Sequence, residues 1–168
     1  EIVHPDSMVA MGWSQGGYVS AFLSTTTDRF QAVSVGAGIS NWTTQYVNTD
    51  LHPFARHYLA ATPWEDPGIY EKTSPISYVT EATTPTLIQH GENDARVPIP
   101  NAYELYQGLK DVGVETRLVV YEGVGHRISD PKELLAANWH NWQWVARWLW
   151  EEDVDLPLGE RGGEERSE

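Results

Sequence analysis

The sequence predicts an α/β domain with a parallel sheet of about four strands and helices packed on its faces. Short apolar runs of strand length alternate along the chain with segments whose apolar residues recur at helical spacing. Strands that alternate with helices favour a parallel sheet. The 168 residues are also enough for a single domain that buries a substantial core.

The predicted elements carry signals at their ends. Strands are predicted from Met8 to the first glycine turn and over residues 30–35, 86–90 and 116–121. Helices are predicted over about 18–24, 54–61 and 102–112, and from Pro131 to about Glu152. Gly113 is typical of the end of a helix, and Asp130 before Pro131 is typical of an N-cap. Residues 39–79 form the least regular section, and loops on a rigid scaffold often carry binding residues.

The last predicted helix is rich in tryptophan. Its apolar spacing predicts one core-facing side, made of Leu135, Trp139, Trp142, Ala146 and Leu149. Trp144 and Trp148 widen this side. The extra width predicts a contact with something beyond a single sheet.

Composition argues against several classes of function. Acidic residues number 24 against 11 Lys and Arg, and the formal net charge of −13 would repel nucleic acid and anionic membranes. No apolar run approaches the roughly 18 residues of a membrane span. The chain has no cysteine, which removes disulfides and thiol catalysis. We expect no metal ion, no other cofactor and no signal peptide. The compartment stays open, with the cytoplasm favoured over secretion.

The first predicted strand runs directly into Gly-Trp-Ser-Gln-Gly at residues 12–16, and a predicted helix follows. Strand, tight turn and helix in this order are what a nucleophile elbow requires. Ser14 would then stand at the tip of a strained turn, and Gly12 and Gly16 would remove Cβ atoms that clash across it. The N–H of Gln15 is predicted to donate to an oxyanion.

A serine nucleophile needs a base and a group that orients the base. The carboxyl ends of parallel strands carry such groups, and Asp94 and His126 follow the third and fourth predicted strands. The order Ser14, Asp94, His126 is the one that hydrolases with this elbow use. Glu92, two residues nearer the strand, is the alternative to Asp94. Asp130 is better explained as a helix cap.

The remaining histidines are weaker candidates for the base. His126 follows Gly-Val-Gly, in a loop that could bring its imidazole to the serine. His90 lies inside a predicted strand, and His52 and His57 lie in the irregular section. His4 and His140 follow no strand end.

Longer motifs agree in order and spacing with one family. They are Gly-Trp-Ser-Gln-Gly-Gly-Tyr at 12–18, Thr-Pro-Trp-Glu-Asp-Pro-Gly-Ile-Tyr at 62–70, Ser-Pro-Ile at 74–76, Thr-Pro-Thr-Leu-Ile-Gln-His-Gly-Glu-Asn-Asp-Ala-Arg-Val-Pro at 84–98, Leu-Tyr-Gln-Gly-Leu-Lys at 105–110 and Val-Val-Tyr-Glu-Gly-Val-Gly-His at 119–126. In these segments the chain resembles the catalytic domain of the prolyl oligopeptidase family of serine peptidases, including its acylaminoacyl peptidase and dipeptidyl peptidase branches.

The resemblance implies an α/β-hydrolase fold with Ser14, Asp94 and His126 as its catalytic triad. It also implies that Trp42 lines the pocket for the residue before the scissile bond. Tyr18 and Tyr46 are further candidates for contact with substrate. The chain departs from the family pattern at Gln15, where Tyr is frequent, and at Arg127, where Gly is usual. Both departures affect the expected substrate preference more than the triad.

The resemblance further implies a partial fold. Relatives have about eight strands and an upstream domain, whereas this chain is expected to lack the N-terminal strands. Residues 1–152 would form the C-terminal portion of the catalytic domain, and residues 153–168 an acidic flexible tail. The strand at Met8 would expose an unpaired edge. We therefore expect a homodimer, or a partner fragment, to cover that edge and the broad tryptophan face.

Two functions compete on the sequence alone. The first is a serine hydrolase that cleaves small esters, and peptide bonds in the parent family, through an acyl-enzyme on Ser14. The second is a poorly active fragment that keeps the motif and acts as an assembly module. A second oxyanion donor normally comes from a loop before the elbow, and this chain is expected to lack that loop. Loss of one oxyanion donor costs roughly 10²- to 10³-fold in rate, which weakens an enzyme without abolishing it. Hydrolysis is therefore the favoured expectation.

Overall fold

Four parallel strands form the centre of the molecule in the computed structural model, which describes residue 4 and residues 6–155. They are β1 (Val9–Trp13), β2 (Ala32–Gly36), β3 (Thr86–Gly91) and β4 (Thr116–Tyr121). They are hydrogen-bonded in the order β1-β2-β3-β4, and every pair is parallel. The predicted sheet is therefore confirmed. Most of the predicted acidic tail, from residue 156 onward, lies outside the described residues.

Within the described residues, six α-helices and one 3₁₀ helix connect and cover the strands. They are α1 (Gln15–Thr26), α2 (Trp42–Asn48), α3 (His52–Leu59), α4 (Pro67–Lys72), the 3₁₀ helix (Pro75–Glu81), α5 (Pro100–Asp111) and α6 (Pro131–Trp150). As predicted, Gly113 takes a left-handed φ of 82° just beyond α5, and Asp130 caps α6 by accepting the N–H groups of Lys132 and Glu133.

The section from 39 to 79 is more regular than predicted. It contains α2, α3, α4 and the 3₁₀ helix, where the sequence predicted one helix. Pro53, Pro67 and Pro75 each lie in the first turn of a helix, where a missing N–H costs nothing. Asn41 and Asp66 cap α2 and α4 through their side-chain oxygens. The prolines therefore start helices here instead of interrupting them.

The two faces of the sheet pack against different helices. Val33, Val35 and Ile88 point to one face, where they form a core cluster with residues of α1 and α5. Ala32 and Leu87 point to the other face, where they pack against α6. This alternation along each strand gives a three-layer arrangement of helix, sheet and helix.

The side of α6 that faces the sheet agrees only in part with the prediction. Leu135 is 64% exposed and Trp142 is 46% exposed, whereas Ala137 and Trp144 are buried. The prediction was right for Ala146 and Trp144, which are buried, and wrong for Leu135 and Trp142. The described residues thus leave uncovered a side of α6 with two large exposed apolar residues.

A polar residue explains the error on α6. Asn141 faces the sheet, where its Oδ1 accepts hydrogen bonds from Ser34 Oγ at 2.6 Å and Gln89 Nε2 at 2.8 Å. Trp144, one turn further along, packs on Leu87. Because the sheet supplies these donors, an asparagine can occupy the packed side, and a count of apolar residues places that side wrongly. No helix in the described part of the chain is both long and apolar enough to cross a membrane.

Candidate active site

Ser14 forms the sharp turn between β1 and α1. Its backbone has φ 59° and ψ −116°, a conformation that non-glycine residues adopt only under strain. The Ser14 N–H donates to the carbonyl of Gly36 at the end of β2 (2.9 Å), and the Ser14 carbonyl accepts from the Tyr18 N–H (2.9 Å). The side chain does not cap the helix. The Oγ atom is therefore held at the tip of the turn and remains available to another group.

Two glycines allow the turn to pack this closely. A Cβ atom at Gly12 would lie 2.4 Å from the carbonyl carbon of Gly16, and one at Gly17 would lie 2.1 Å from the carbonyl oxygen of Gly36. A Cβ atom at Gly16, by contrast, would meet nothing within 4 Å. The predicted clash is therefore present at Gly12 and absent at Gly16. Gly17, which the sequence analysis did not single out, is the second position that requires glycine.

Asp94 lies in the turn that follows β3, and it is buried. Its Oδ1 accepts the backbone N–H groups of Arg96 and Val97, each at 2.9 Å. Its Oδ2 lies 2.7 Å from Nδ1 of His126. The two backbone donors fix the carboxylate on one side, so the other oxygen is directed at the imidazole.

His126 lies between Asp94 and the serine. Its Nε2 is 2.8 Å from Ser14 Oγ, and its side chain is 27% exposed. The indole N–H of Trp13 donates to the backbone carbonyl of His126 at 2.9 Å. The structure thus brings Ser14, Asp94 and His126 into one hydrogen-bonded chain. Trp13 holds the histidine loop beside the elbow, a role that the sequence did not reveal.

The loops that carry Asp94 and His126 are bound to each other. The N–H of Asn93 donates to the carbonyl of Val124 at 2.9 Å. Glu92 Oε2 accepts the N–H of Gly123 at 2.9 Å. A Cβ atom at Gly91 would lie 2.5 Å from the carbonyl oxygen of Val124, so the close approach requires glycine there. Glu92, the sequence alternative to Asp94, supports this junction and does not contact the imidazole.

Gln15, whose N–H is the predicted oxyanion donor, is the first residue of α1. Because α1 begins at Gln15, this N–H is among those at the helix start that have no acceptor within the helix. It directly follows the residue that carries the candidate nucleophile. Its predicted role stays a prediction. Among the described residues, no group of three or more His, Asp or Glu is arranged to hold a metal ion.

The predicted substrate-binding residues lie in an aromatic cluster near the elbow. Tyr18 is one turn beyond Ser14, and its ring contacts that of Trp42 edge-on, with centroids 5.6 Å apart. Trp42 is fully buried and stacks on Tyr58 at 5.3 Å, which in turn stacks on Phe54 at 5.5 Å. Tyr58 is 51% exposed and Phe54 is 46% exposed. The exposed aromatic surface thus belongs to two residues that the sequence analysis missed.

Tyr18 and Tyr46 are engaged elsewhere. The hydroxyl of Tyr18 donates to the carbonyl of Thr73 at 2.7 Å, and burial raises the pKa of Tyr18. The ring of Tyr46 contacts those of Tyr70 and His52 edge-on. Direct contact of Tyr18, Trp42 and Tyr46 with a substrate therefore stays a prediction.

A cavity of about 460 Å³ adjoins the histidine on the side of α6. Met11 and Trp13 of β1, Leu134 of α6 and Arg127 contribute to its lining. Met11 is 51% exposed, which places one end of the cavity at the free edge of β1. Deeper in the sheet, burial raises the pKa of Tyr121, whose hydroxyl donates to Gln89.

Comparison with known proteins assigns the family. The profile of the prolyl oligopeptidase family matches residues 1–152. The chain belongs to this family. The resemblance found in the sequence motifs is thereby confirmed.

Individual relatives agree with the assignment. The Bacillus subtilis peptidase YuxL is 34% identical over 128 residues, which are 76% of this chain and 20% of that protein. Dipeptidyl-peptidase 5 of Porphyromonas gingivalis is 31% identical over 152 residues, 88% of this chain and 22% of that protein. The Arabidopsis thaliana acylamino-acid-releasing enzyme is 29% identical over 140 residues, 78% of this chain and 18% of that protein.

Solved structures confirm a partial α/β-hydrolase fold. The acylaminoacyl peptidase of Pyrococcus horikoshii superposes with a TM-score of 0.83 at 26% identity, over 90% of this chain and 26% of that one. A Mycobacterium tuberculosis puromycin-hydrolyzing peptidase superposes with a TM-score of 0.81 at 25% identity, over 92% of this chain and 24% of that one. The chain spans about a fifth of the length of the curated relatives it matches.

Proposed function

We propose that this chain is a serine hydrolase that cleaves carboxylic esters through an acyl-enzyme on Ser14. The observation that carries the proposal is the chain of hydrogen bonds from Ser14 Oγ to His126 at 2.8 Å and from His126 to Asp94 at 2.7 Å. A serine hydroxyl is a weak nucleophile until a base within hydrogen-bond reach removes its proton. Membership of the prolyl oligopeptidase family supports the same chemical class.

The geometry supports a two-step reaction. In the first step, His126 Nε2 takes the proton from Ser14 Oγ as the oxygen attacks the ester carbonyl, and it then gives that proton to the departing alcohol. In the second step, a water molecule loses a proton to Nε2 and attacks the acyl-enzyme. Nε2 then returns that proton to Ser14 Oγ as the bond to the acyl group breaks and the acid is released. Asp94 keeps the imidazole oriented and stabilises its positive charge in both steps.

The negative charge on the carbonyl oxygen would be stabilised at the start of α1. The N–H of Gln15 and the positive end of the helix dipole both lie beside the serine. Esters suit this site because their leaving group needs less help from a proton donor than the nitrogen of an amide. Cleavage of peptide bonds is proposed for the longer protein type that the relatives represent.

The aromatic residues beyond Tyr18 are proposed to bind the apolar group of the substrate. Tyr58 and Phe54 each expose about half of their surface, and buried Trp42 supports them from behind. An acyl chain or apolar side chain laid on these rings would lose its contact with water, which favours binding. Tyr18 joins this aromatic wall to the helix that follows Ser14.

We also propose that a second polypeptide covers the free edge of β1, either a second copy of this chain or a partner fragment. Among the described strands, β1 pairs only with β2, so its other edge has unpaired backbone groups. The half-exposed Met11 on that edge and Leu134 on α6 line the same cavity. A strand placed against β1 could therefore fill the cavity with its side chains.

The alternative function is that of an assembly module without useful activity. Labelling with a fluorophosphonate probe separates the two, since the probe reacts with a serine that a neighbouring base activates. We expect labelling of the native chain and none of Ser14→Ala or His126→Ala. Ser129→Ala and His57→Ala change an exposed serine and an exposed histidine outside the triad, and both should label normally.

Ester hydrolysis completes the test. The native chain should hydrolyse short-chain p-nitrophenyl esters, and the two unlabelled variants should not exceed the background rate. A folded native chain that neither labels nor hydrolyses these esters would contradict the proposed activity and favour the assembly module.

A further inference from the structure

A buried histidine lies behind the proposed triad. His90 is in β3 and is fully buried. Its Nε2 is 2.7 Å from the backbone carbonyl oxygen of Val97 and 3.5 Å from Oδ2 of Asp94. A carbonyl oxygen can only accept a hydrogen bond, so Nε2 of His90 carries a proton. The imidazole therefore links the end of the strand to the far end of the Asp94 turn.

The other nitrogen of this ring has no such partner. Nδ1 of His90 is buried without a hydrogen-bond partner among the described residues. Burial lowers the pKa of His90, and the nearby His126 lowers it further, while the Val97 carbonyl and Asp94 act in the opposite direction. The unpartnered Nδ1 and the bond from Nε2 to the Val97 carbonyl fit a neutral ring with its proton on Nε2, and the lowered pKa agrees.

Because His90 is neutral, His126 is the one of the two histidines that can pair with Asp94 as a cation. Asp94 lies within ion-pairing distance of His90 and His126, and both rings face it. With a neutral His90, the imidazolium that forms on His126 during the reaction is the one cation of the pair that the Asp94 carboxylate stabilises. The same neutral ring still anchors the carbonyl of Val97, whose own N–H donates to Asp94 Oδ1.

We propose that His90 is a positioning residue for the reaction, acting through the turn from Asp94 to Val97. This inference rests on the proposed function of the triad. The Nε2–H of His90 holds the Val97 carbonyl, and the N–H groups of Arg96 and Val97 hold Asp94 Oδ1. Asp94 Oδ2 then stays on Nδ1 of His126. Without the anchor, the turn can rotate and carry the carboxylate away from the imidazole.

Two substitutions at His90 separate the effect of its hydrogen-bond donor from the effect of its side-chain volume. His90→Gln keeps an N–H donor that can reach the Val97 carbonyl, whereas His90→Leu fills similar space without any donor. Misplacement of a reacting group by about 1 Å can cost about 100-fold in rate, so we expect His90→Leu to lower kcat by about 10- to 100-fold. KM should change little, because His90 is buried away from the exposed surface. His90→Gln should restore most of kcat.

The pH profile of the reaction distinguishes a positioning role from a purely structural one, because a loss of stability alone would not shift it. In His90→Leu a displaced carboxylate stabilises the protonated imidazole of His126 less. The acidic limb of the kcat/KM profile should therefore move to lower pH, and His90→Gln should return it toward the native position. Ile88→Ala serves as a control, because it removes buried volume from the same strand without touching a triad hydrogen bond. It should unfold more easily, with kcat per folded molecule and the acidic limb unchanged.

Proton NMR tests the inference independently of turnover. The His126 Nδ1–H that bonds to Asp94 should give a far-downfield resonance, present in the native chain, His90→Gln and Ile88→Ala and lost or shifted upfield in His90→Leu. If the native chain shows this resonance but hydrolyses no ester, the proposed function fails while the positioning role of His90 is still measured. A His90→Leu variant that keeps the native resonance, kcat and acidic limb would overturn the role. A His90→Gln variant whose kcat is no higher than that of His90→Leu would also overturn the role.

Discussion

At the residue scale, the two acidic residues of the turn after β3, Glu92 and Asp94, have different roles. Asp94 is buried, accepts two backbone N–H groups on Oδ1 and meets His126 with Oδ2. Glu92 is exposed and accepts the N–H of Gly123, where it joins the two loops. The sequence could not choose firmly between them, because both follow the same strand. Their hydrogen-bond partners make Asp94 the group that can orient the imidazole.

A pair of isosteric substitutions tests this division. Asp94→Asn removes the charge and allows the wrong imidazole nitrogen to be protonated, so kcat for ester hydrolysis should fall by roughly 10⁴-fold, as in serine proteases changed in this way. Glu92→Gln keeps an acceptor for Gly123 and should change kcat little. Steady-state hydrolysis of a short p-nitrophenyl ester measures both. A larger loss in Glu92→Gln than in Asp94→Asn would give the orienting role to Glu92.

At the element scale, local signals account for what the sequence predicted. The strand over 116–121 and the start of α6 at Pro131 agree with the structure, because apolar runs and caps are properties of adjacent residues. The three triad residues could be proposed because each follows a strand of a parallel sheet. Residues 39–79 were misread because their prolines begin helices. The packed side of α6 was misread because Asn141 is satisfied by donors from two distant strands.

The elbow gives a matched pair of glycine substitutions. In Gly12→Ala the new Cβ would lie 2.4 Å from the backbone of Gly16, which has no flexible side chain to yield. We expect a loss of about 1–3 kcal/mol of stability from overpacking, with slower probe labelling because Ser14 shifts. Gly16→Ala lies in α1 with open space around the new methyl group and should gain about 0.5–1 kcal/mol.

Urea unfolding and labelling rates distinguish the two variants. Gly12→Ala should unfold at lower urea and label slowly even where it is fully folded. Gly16→Ala should unfold at higher urea, with labelling close to native. If both variants were equally destabilised, the spacing at Gly12 would not be what sets the shape of the elbow.

At the scale of the whole molecule, exposed apolar side chains and an unpaired strand edge favour self-association, whereas the net negative charge opposes it. The free edge of β1, the half-exposed Met11 and the uncovered side of α6 with Trp142 and Trp150 all favour a covering partner. A formal net charge of −13 opposes the approach of a second copy. Salt screens repulsion between surface charges but leaves strand pairing and apolar burial intact. The balance should therefore shift toward association as salt rises.

Sedimentation velocity tests pairing through this edge. Two copies related by a two-fold axis would pair their β1 strands antiparallel, and we expect a species of about twice the chain mass of 18.9 kDa that grows with added salt. Met11→Lys places a charge on the edge and should leave only monomer, because edge lysines block strand pairing. Val112→Lys, at an exposed apolar position beyond α5, should dimerise like the native chain. A native chain that stays monomeric at every salt concentration would contradict self-pairing and leave a partner fragment as the proposed cover for β1.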